Sequence, residues 1–238
     1  MITVPNAPTD VIVAPFGKPY GFTAYQVVDM IDQDTLHGLM TTADLLAEFS
    51  SSKPGFFHVE KLGTTAIKCE FLALNKKDIN TIYEKGLTTK EVTLAETATI
   101  IIMCPQKYVL ISGSEGAAKP ALYHLSNCLS IVCKIHKPEQ HALVTLLDEA
   151  LKIWSVKYTN IKHTELKEVM FKGALDDRFP MSGDINTCDI AACEVSLETQ
   201  GHGARNFRVS KEGRVVIKGL AKQPVSLSLV AWTLAKIF

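Results

Sequence analysis

Lys107–Val132 reads KYVLISGSEGAAKPALYHLSNCLSIV, and Gly213–Phe238 reads GRVVIKGLAKQPVSLSLVAWTLAKIF. At a constant offset of 106 residues Val109 meets Val215, Leu110 meets Val216, Ile111 meets Ile217 and Gly113 meets Gly219. Beyond the glycine, Ala121 meets Leu227, Leu125 meets Ala231, Cys128 meets Leu234 and Ile131 meets Ile237. Alternating apolar residues, then apolar residues at helical spacing, predict a strand leading into a helix in both stretches. The match predicts an internally duplicated chain.

Working backwards, Ile100–Met103 precedes a turn at Cys104–Gln106, and Asn206–Val209 precedes a turn at Ser210–Gly213. Both predict β-hairpins. Glu91–Ala95 and Asp189–Glu198 supply one more strand each. Further back, Ile67-Lys68-Cys69-Glu70-Phe71-Leu72 matches Val156-Lys157-Tyr158-Thr159-Asn160-Ile161. Asn75 and Thr164 follow as N-caps, predicting helices over Lys76–Glu84 and Glu165–Lys172. The shorter offset here implies an insertion at the polar stretch Asp176–Thr187.

The expected architecture is α+β, with two tandem strand-helix-strand-strand-strand-helix repeats. Their strands form one curved antiparallel sheet with helices on the convex face. Residues 1–55 are an N-terminal extension, with a short strand at Asp10–Ala14 and helices at Tyr25–Ile31 and Thr42–Phe49. Residues 56–150 hold the first repeat and a connecting helix at His141–Ser155, and residues 151–238 hold the second repeat.

Composition sets further bounds. The 238 residues are 47% hydrophobic and carry no formal net charge. No apolar run approaches the roughly 20 residues needed to cross a membrane. The N-terminus lacks the pattern of a secretory signal. The six cysteines mostly sit in apolar segments, which fits buried thiols in a reducing intracellular compartment. Charge is unevenly spread. Residues 1–55 carry two basic and six acidic side chains, while residues 201–238 carry seven basic ones and a single acid, Glu212. A basic C-terminal part points to an anionic partner.

The turn Gly213-Arg214-Val215-Val216-Ile217-Lys218-Gly219, followed by Ala221-Lys222-Gln223, resembles the TATA-box-binding protein family. That family's repeats carry a Gly-Lys-apolar-Val-apolar-Thr-Gly-Ala-Lys strand leading into the long helix. Here Arg214 stands at the Lys position and Lys218 at the Thr position, and Leu220 is an additional residue. Asn160-Ile161 resembles the Asn-Ile of the family's first strand, with Phe71 at the place of Asn160 in the first repeat. Phe179-Pro180 resembles a Phe-Pro that opens its second strand.

The resemblance implies a saddle whose concave sheet lies in the minor groove of A·T-rich promoter DNA. Such binding uses apolar residues against the bases, wedges that unstack base steps, and basic residues at the rim. It implies a general transcription initiation factor at the nuclear or other site of transcription. Double-stranded DNA, a B-type general transcription factor and RNA polymerase would be its partners. The implied contact residues in the second repeat are Asn160, Phe179, Phe207, Val209, Arg214, Val216 and Lys218. In the first they are Phe71, Ile101, Met103, Leu110 and Ser112. Phe207 is the candidate wedge. The hairpin loop differs in length from the family's, and a slipped register would expose Arg208 instead.

Chemical motifs are sparse. Ser112-Gly113-Ser114-Glu115-Gly116 could cradle an anion at a helix N-terminus, but it lacks the Lys-Ser/Thr of a phosphate loop. Cys128, Cys133, His136 and His141 could be assembled as zinc ligands. Cys128 and Cys133 would diverge by about 140° on a helix, against the tetrahedral convergence zinc needs. Trp154 and Trp232 are expected in the core. No nucleophile elbow or metalloprotease helix is present, so neither catalysis nor a cofactor is expected. The alternatives to DNA binding are a protein-interaction scaffold that kept the duplicated fold, and a small-molecule site in a closed pocket.

Overall fold

The computed structural model describes residues 11–15, 17–29, 32–48, 53–83, 86–161, 167–175, 188–221 and 223–238. The chain is α+β with mostly antiparallel strands, and the described residues hold four helices. The strands are β1 (Ile12–Ala14), β2 (Tyr20–Val27), β3 (Gly55–Leu62), β4 (Ala66–Tyr83), β5 (Gly86–Met103), β6 (Tyr108–Gly113), β7 (Cys133–Ile135), β8 (Lys152–Thr159), β9 (Glu168–Leu175), β10 (Asp189–Thr199), β11 (Gly203–Ser210), β12 (Arg214–Ile217) and β13 (Val225–Ser226). The helices are α1 (Gln33–Met40), α2 (Glu115–Leu129), α3 (Gln140–Asp148) and α4 (Leu227–Ile237). Among the described residues no helix is long and apolar enough to cross a membrane.

Two compact units emerge. The middle unit is Gln26–Lys134, and the composite unit joins the described residues up to Tyr25 with Ile135–Phe238. The described residues of 26–55 thus pack with the middle unit, and residues 135–150 with the composite one.

In the middle unit β3, β4, β5 and β6 form an antiparallel meander. Helix α2 packs on β4, β5 and β6, and α1 packs on β3, β4 and α2. Phe56 and Phe71, paired across β3 and β4, meet edge to face at 5.3 Å, and Phe71 lies 4.9 Å from the His124 ring of α2. Burial holds the His124 imidazole below its ordinary pKa. Ala117, Ala121, Leu125 and Leu129 form the buried stripe of α2. Ile100, Ile101, Ile102 and Met103 are consecutive, and all are buried. Successive strand residues face opposite ways, so this part of the sheet is covered on both faces.

The β4–β5 pairing runs without a break from Ala66↔Met103 to Tyr83↔Gly86. This replaces the expected helix at Lys76–Glu84. The partner strand Thr88-Thr89-Lys90-Glu91-Val92-Thr93-Leu94 is rich in β-branched residues, and non-local pairing overrides the helix-compatible local pattern. Glu91–Ala95 and Ile100–Met103 also prove to be one strand, not two.

The composite unit has the order β2-β12-β11-β10-β8-β9, with β1 paired to β13. Helix α4 is buried on nearly every side, and α3 packs on β10 and α4. The Ser226 hydroxyl caps α4 by accepting from Leu229 N at 3.3 Å. The guanidinium of buried Arg205 donates to the carbonyls of Gln223 (3.4 Å) and Pro224 (3.2 Å), closing the segment that leads into the helix. Gly213 turns the β11–β12 hairpin at φ 80°, and a Cβ there would sit 2.3 Å from the His136 carbonyl.

Other expected elements shift too. Glu168–Leu175 is a strand paired to β8, not part of a helix, and Thr164 and Asp176–Thr187 lie outside the described residues. Tyr25 to Val27 is strand, and Leu46 and Glu48 form isolated bridges where a helix was expected. The connecting helix stops at Asp148, before β8. Each unit keeps a helix, antiparallel strands ending in a hairpin, and a closing helix. The short helix after the first strand of each expected repeat is absent among the described residues.

Phe207 is fully buried and lies 5.8 Å from the Trp232 ring of α4. We expect Phe207→Ala to lower the unfolding free energy by about 3–5 kcal/mol. Val216→Ala, on the opposite face, should cost less than about 1 kcal/mol. Urea titrations of both variants check this.

A basic sheet face as candidate nucleic-acid interface

Strand alternation and register decide what each face of the composite sheet carries. Phe207 pairs with Ile217, Arg208 with Val216, and Val209 with Val215. Val215 and Ile217 in turn pair with Phe22 and Tyr20 of β2. Phe207, Val209, Val215 and Ile217 therefore share the buried, helix-covered face. Arg208, Arg214, Val216 and Lys218 share the other.

That second face continues onto β10 and β8. Glu194 pairs with Arg208 and Ser155, Ser196 with Asn206 and Lys152, and Ala192 with Lys157. A bulge lies between Glu194 and Val195. Such a bulge re-aims side chains. Here it turns Trp154 onto the polar face, correcting its expected place in the core. The Trp154 indole N–H donates to Ser196 Oγ at 2.8 Å, and Ser196 donates to Asn206 Oδ1 at 2.6 Å. The Lys152 ammonium lies 3.9 Å over the Trp154 ring. On the edge strand β9, Lys172 stands opposite Ser155, and Met170 opposite Lys157.

The face thus carries Lys152, Lys157, Lys172, Arg208, Arg214 and Lys218. Its acids are Glu168, Asp189, Glu194 and, at the end of β10, Glu198. Lys218 pairs with Glu194, and Lys157 with Glu168 at 2.7 Å. Lys172, Arg208 and Arg214 are exposed and make no ion pair among the described residues; Glu194, directly across from Arg208, is engaged by Lys218. Uncompensated cations on an open sheet favour anions that arrive from solvent.

The expected contact residues divide accordingly. Arg214, Val216 and Lys218 come together on the polar face. Phe207 and Val209 are corrected to the core, because the register exposes Arg208 in their place. Asn160 ends β8 in a left-handed conformation (φ 53°) and donates to Asp189. Phe179 lies outside the described residues. In the middle unit Phe71 is in the core against α2. Ile101, Met103 and Leu110 sit on the sheet face away from α2, yet all three are fully covered, so they offer no apolar surface. Ser112 is half-buried. Lys152, Trp154, Lys157, Lys172, Ser196 and Asn206 were not picked out from sequence. Lys152 and Trp154 fell in the stretch read as a connecting helix, Lys172 in one read as a capped helix, and a bulge has no residue signature of its own.

The turn at Ser112–Gly116 is already filled. Glu96 of β5 accepts from the Ser114 hydroxyl, from Lys77 (3.2 Å) and from Asn75 (3.2 Å). A Cβ on Gly116 would meet the Glu96 carboxylate at 2.6 Å. The chain's own carboxylate thus stands at the start of α2, where a bound anion would sit. The Ser114 bond, then Lys77 and Asn75, hold the Glu96 carboxyl below its ordinary pKa. Pro120 lies inside α2 and cannot donate to the carbonyl of Gly116. Asn75 Nδ2 donates to that carbonyl instead, at 3.0 Å. Asn75 therefore supports α2, where a cap for a helix of its own was expected.

Among the described residues no three His, Cys, Asp or Glu side chains gather as metal ligands. Cys128 Sγ lies 3.8 Å from His124, His136 stacks on Phe238 at 4.8 Å, and His141 faces Glu139 at 3.1 Å.

No family model matches the chain, and no curated protein matches it.

Asn75→Ala leaves the Gly116 carbonyl without its donor and should cost about 1–2 kcal/mol in a urea titration. Glu96 contributes stability above the ordinary glutamate range, near pH 4.3, and loses it as pH falls through its lower folded value. Denaturation between pH 7 and 3 should accordingly show a shallower loss of stability for Glu96→Gln than for the native chain.

Proposed function

We propose that the protein binds DNA, holding the phosphate backbone on the polar sheet face of the composite unit. One observation carries this reading: Lys172, Arg208 and Arg214 stand exposed on one sheet face and make no ion pair among the described residues. Lys152, half-buried with its ammonium over an indole ring, adds a fourth cation that can turn to phosphate. The contact is polar and basic, so affinity comes from phosphate neutralisation and counterion release. Phe207 and Val209 lie in the core, and the reading makes no use of them as wedges.

The narrower reading is a TATA-box-binding-protein-like transcription initiation factor with two tandem repeats on a curved sheet. It would engage the minor groove of A·T-rich promoter DNA, with a B-type factor and RNA polymerase as partners. The similarity of residues 207–222 to that family supports it, as does the recurrence of a hairpin and closing helix in both units. A second reading, a protein-interaction scaffold without strong DNA binding, draws support from Met170 and Phe171, exposed on the edge strand β9.

Titration of labelled A·T-rich and G·C-rich duplexes at 50 and 200 mM salt tests these readings. Four phosphate contacts give a log–log salt slope near −3.6, about a hundred-fold loss of affinity over that range. Arg208→Glu with Arg214→Glu should flatten the slope by about 2, while Lys76→Ala, in the middle unit, should leave it unchanged. A preference for A·T supports the narrower reading, and equal affinities remove it. Absence of binding at 50 mM overturns DNA binding and leaves the scaffold.

A further inference from the structure

We propose that Trp154 is a seat for one unpaired base of a DNA strand, so that the polar face prefers DNA with a single-stranded segment to an intact duplex. The proposal rests on the DNA-binding reading and adds the form of DNA that the face selects.

The bulge beside Val195 brings an indole onto a face made mostly of polar and charged side chains. The ring is fixed at its edge. Its N–H is bonded to Ser196, and Ser196 is anchored by Asn206 on the next strand. A ring held by a two-step relay presents its face at little further cost in side-chain freedom. Over that ring lies the ammonium of Lys152, on a long flexible stem. A cation over an exposed aromatic is worth less than a base stacked on it. A base can therefore displace Lys152, and the freed ammonium becomes available to the phosphate next to that base.

The surroundings fit a strand with its base turned inward. Asn206 is half-exposed, and its Oδ1 is engaged by Ser196, which leaves the amide Nδ2 to donate to a base edge. Lys172 on the adjacent strand β9, and Arg208 on β11 beyond β10, stand on either side of the seat for backbone contacts. In an intact duplex each base face is covered by its neighbours, so an indole reaches one only where the strand is unpaired or the base is turned out. The other tryptophan, Trp232, stacks on Phe207 beneath the sheet and takes no part.

The test uses the full chain, a blunt duplex, and the same duplex carrying a six-nucleotide dT tail, at low salt. The tailed duplex should bind about ten-fold tighter than the blunt one, with quenching of tryptophan fluorescence. Trp154→Leu should bring the ratio to about one and abolish the quenching. Lys152→Ala, which uncovers the ring but keeps it, is the second variant and should retain both preference and quenching. Equal binding of tailed and blunt duplexes by the native chain overturns the seat while leaving DNA binding standing. A tail preference that survives Trp154→Leu, or disappears in Lys152→Ala, also overturns it. Absence of binding to either duplex overturns the DNA-binding reading itself.

Discussion

Arg208 lies across from Val216, and the composite unit depends on that register. A β-strand repeats every two residues, so a shift by one would exchange its two faces. With Arg208 opposite Val216, the rings of Phe207 and Trp232 meet beneath the sheet, and Val209, Val215, Ile217, Phe22 and Tyr20 join them in the core. The same register sends Arg208, Arg214 and Lys218 to the other side. The alternative would place a phenylalanine in water and a guanidinium against α4, at the cost of burying an unpaired charge. Core and charged face are thus two results of one pairing, enforced by Gly213, whose approach to the His136 carbonyl admits no side chain.

The closing hairpins and helices of both units were legible in the sequence. Val109, Ile111, Val215 and Ile217 all face the core, and Ala121, Leu125, Leu227 and Ala231 are all buried in the helices that follow. These segments fold by short-range rules, in which a turn, an alternation and a helical stripe stand next to one another. The stretches before them were not legible, because their structure depends on distant partners. Lys76–Tyr83 reads as a capped helix when taken alone, and becomes a strand only through Gly86–Val92. Glu168–Leu175 is defined by pairing with β8. The residues of the polar face followed the same division. Arg214 and Val216, with Lys218 just beyond the strand, were placed on one face because they alternate along one short segment. Trp154 was missed because its placement follows from a bulge against β10.

The two units use similar elements for different ends. In the middle unit Ile100 to Met103 are buried without interruption, so both sheet faces there serve packing. In the composite unit alternation is kept, and one face stays polar. A sheet covered on both faces has no outer surface to vary, whereas a sheet with one polar face keeps a surface on which a site can be placed without disturbing the fold.

The bond from Asn75 to the Gly116 carbonyl also bears on the order of assembly. Helices ordinarily close from contacts within a few residues, and they form early for that reason. Proline at position 120 opens a gap in the ladder of α2 that no nearby residue fills. The group that fills it comes from 41 positions upstream, on β4. The last hydrogen bond at the start of α2 therefore comes from outside its own segment, and until β4 is in place the Gly116 carbonyl can turn only to water.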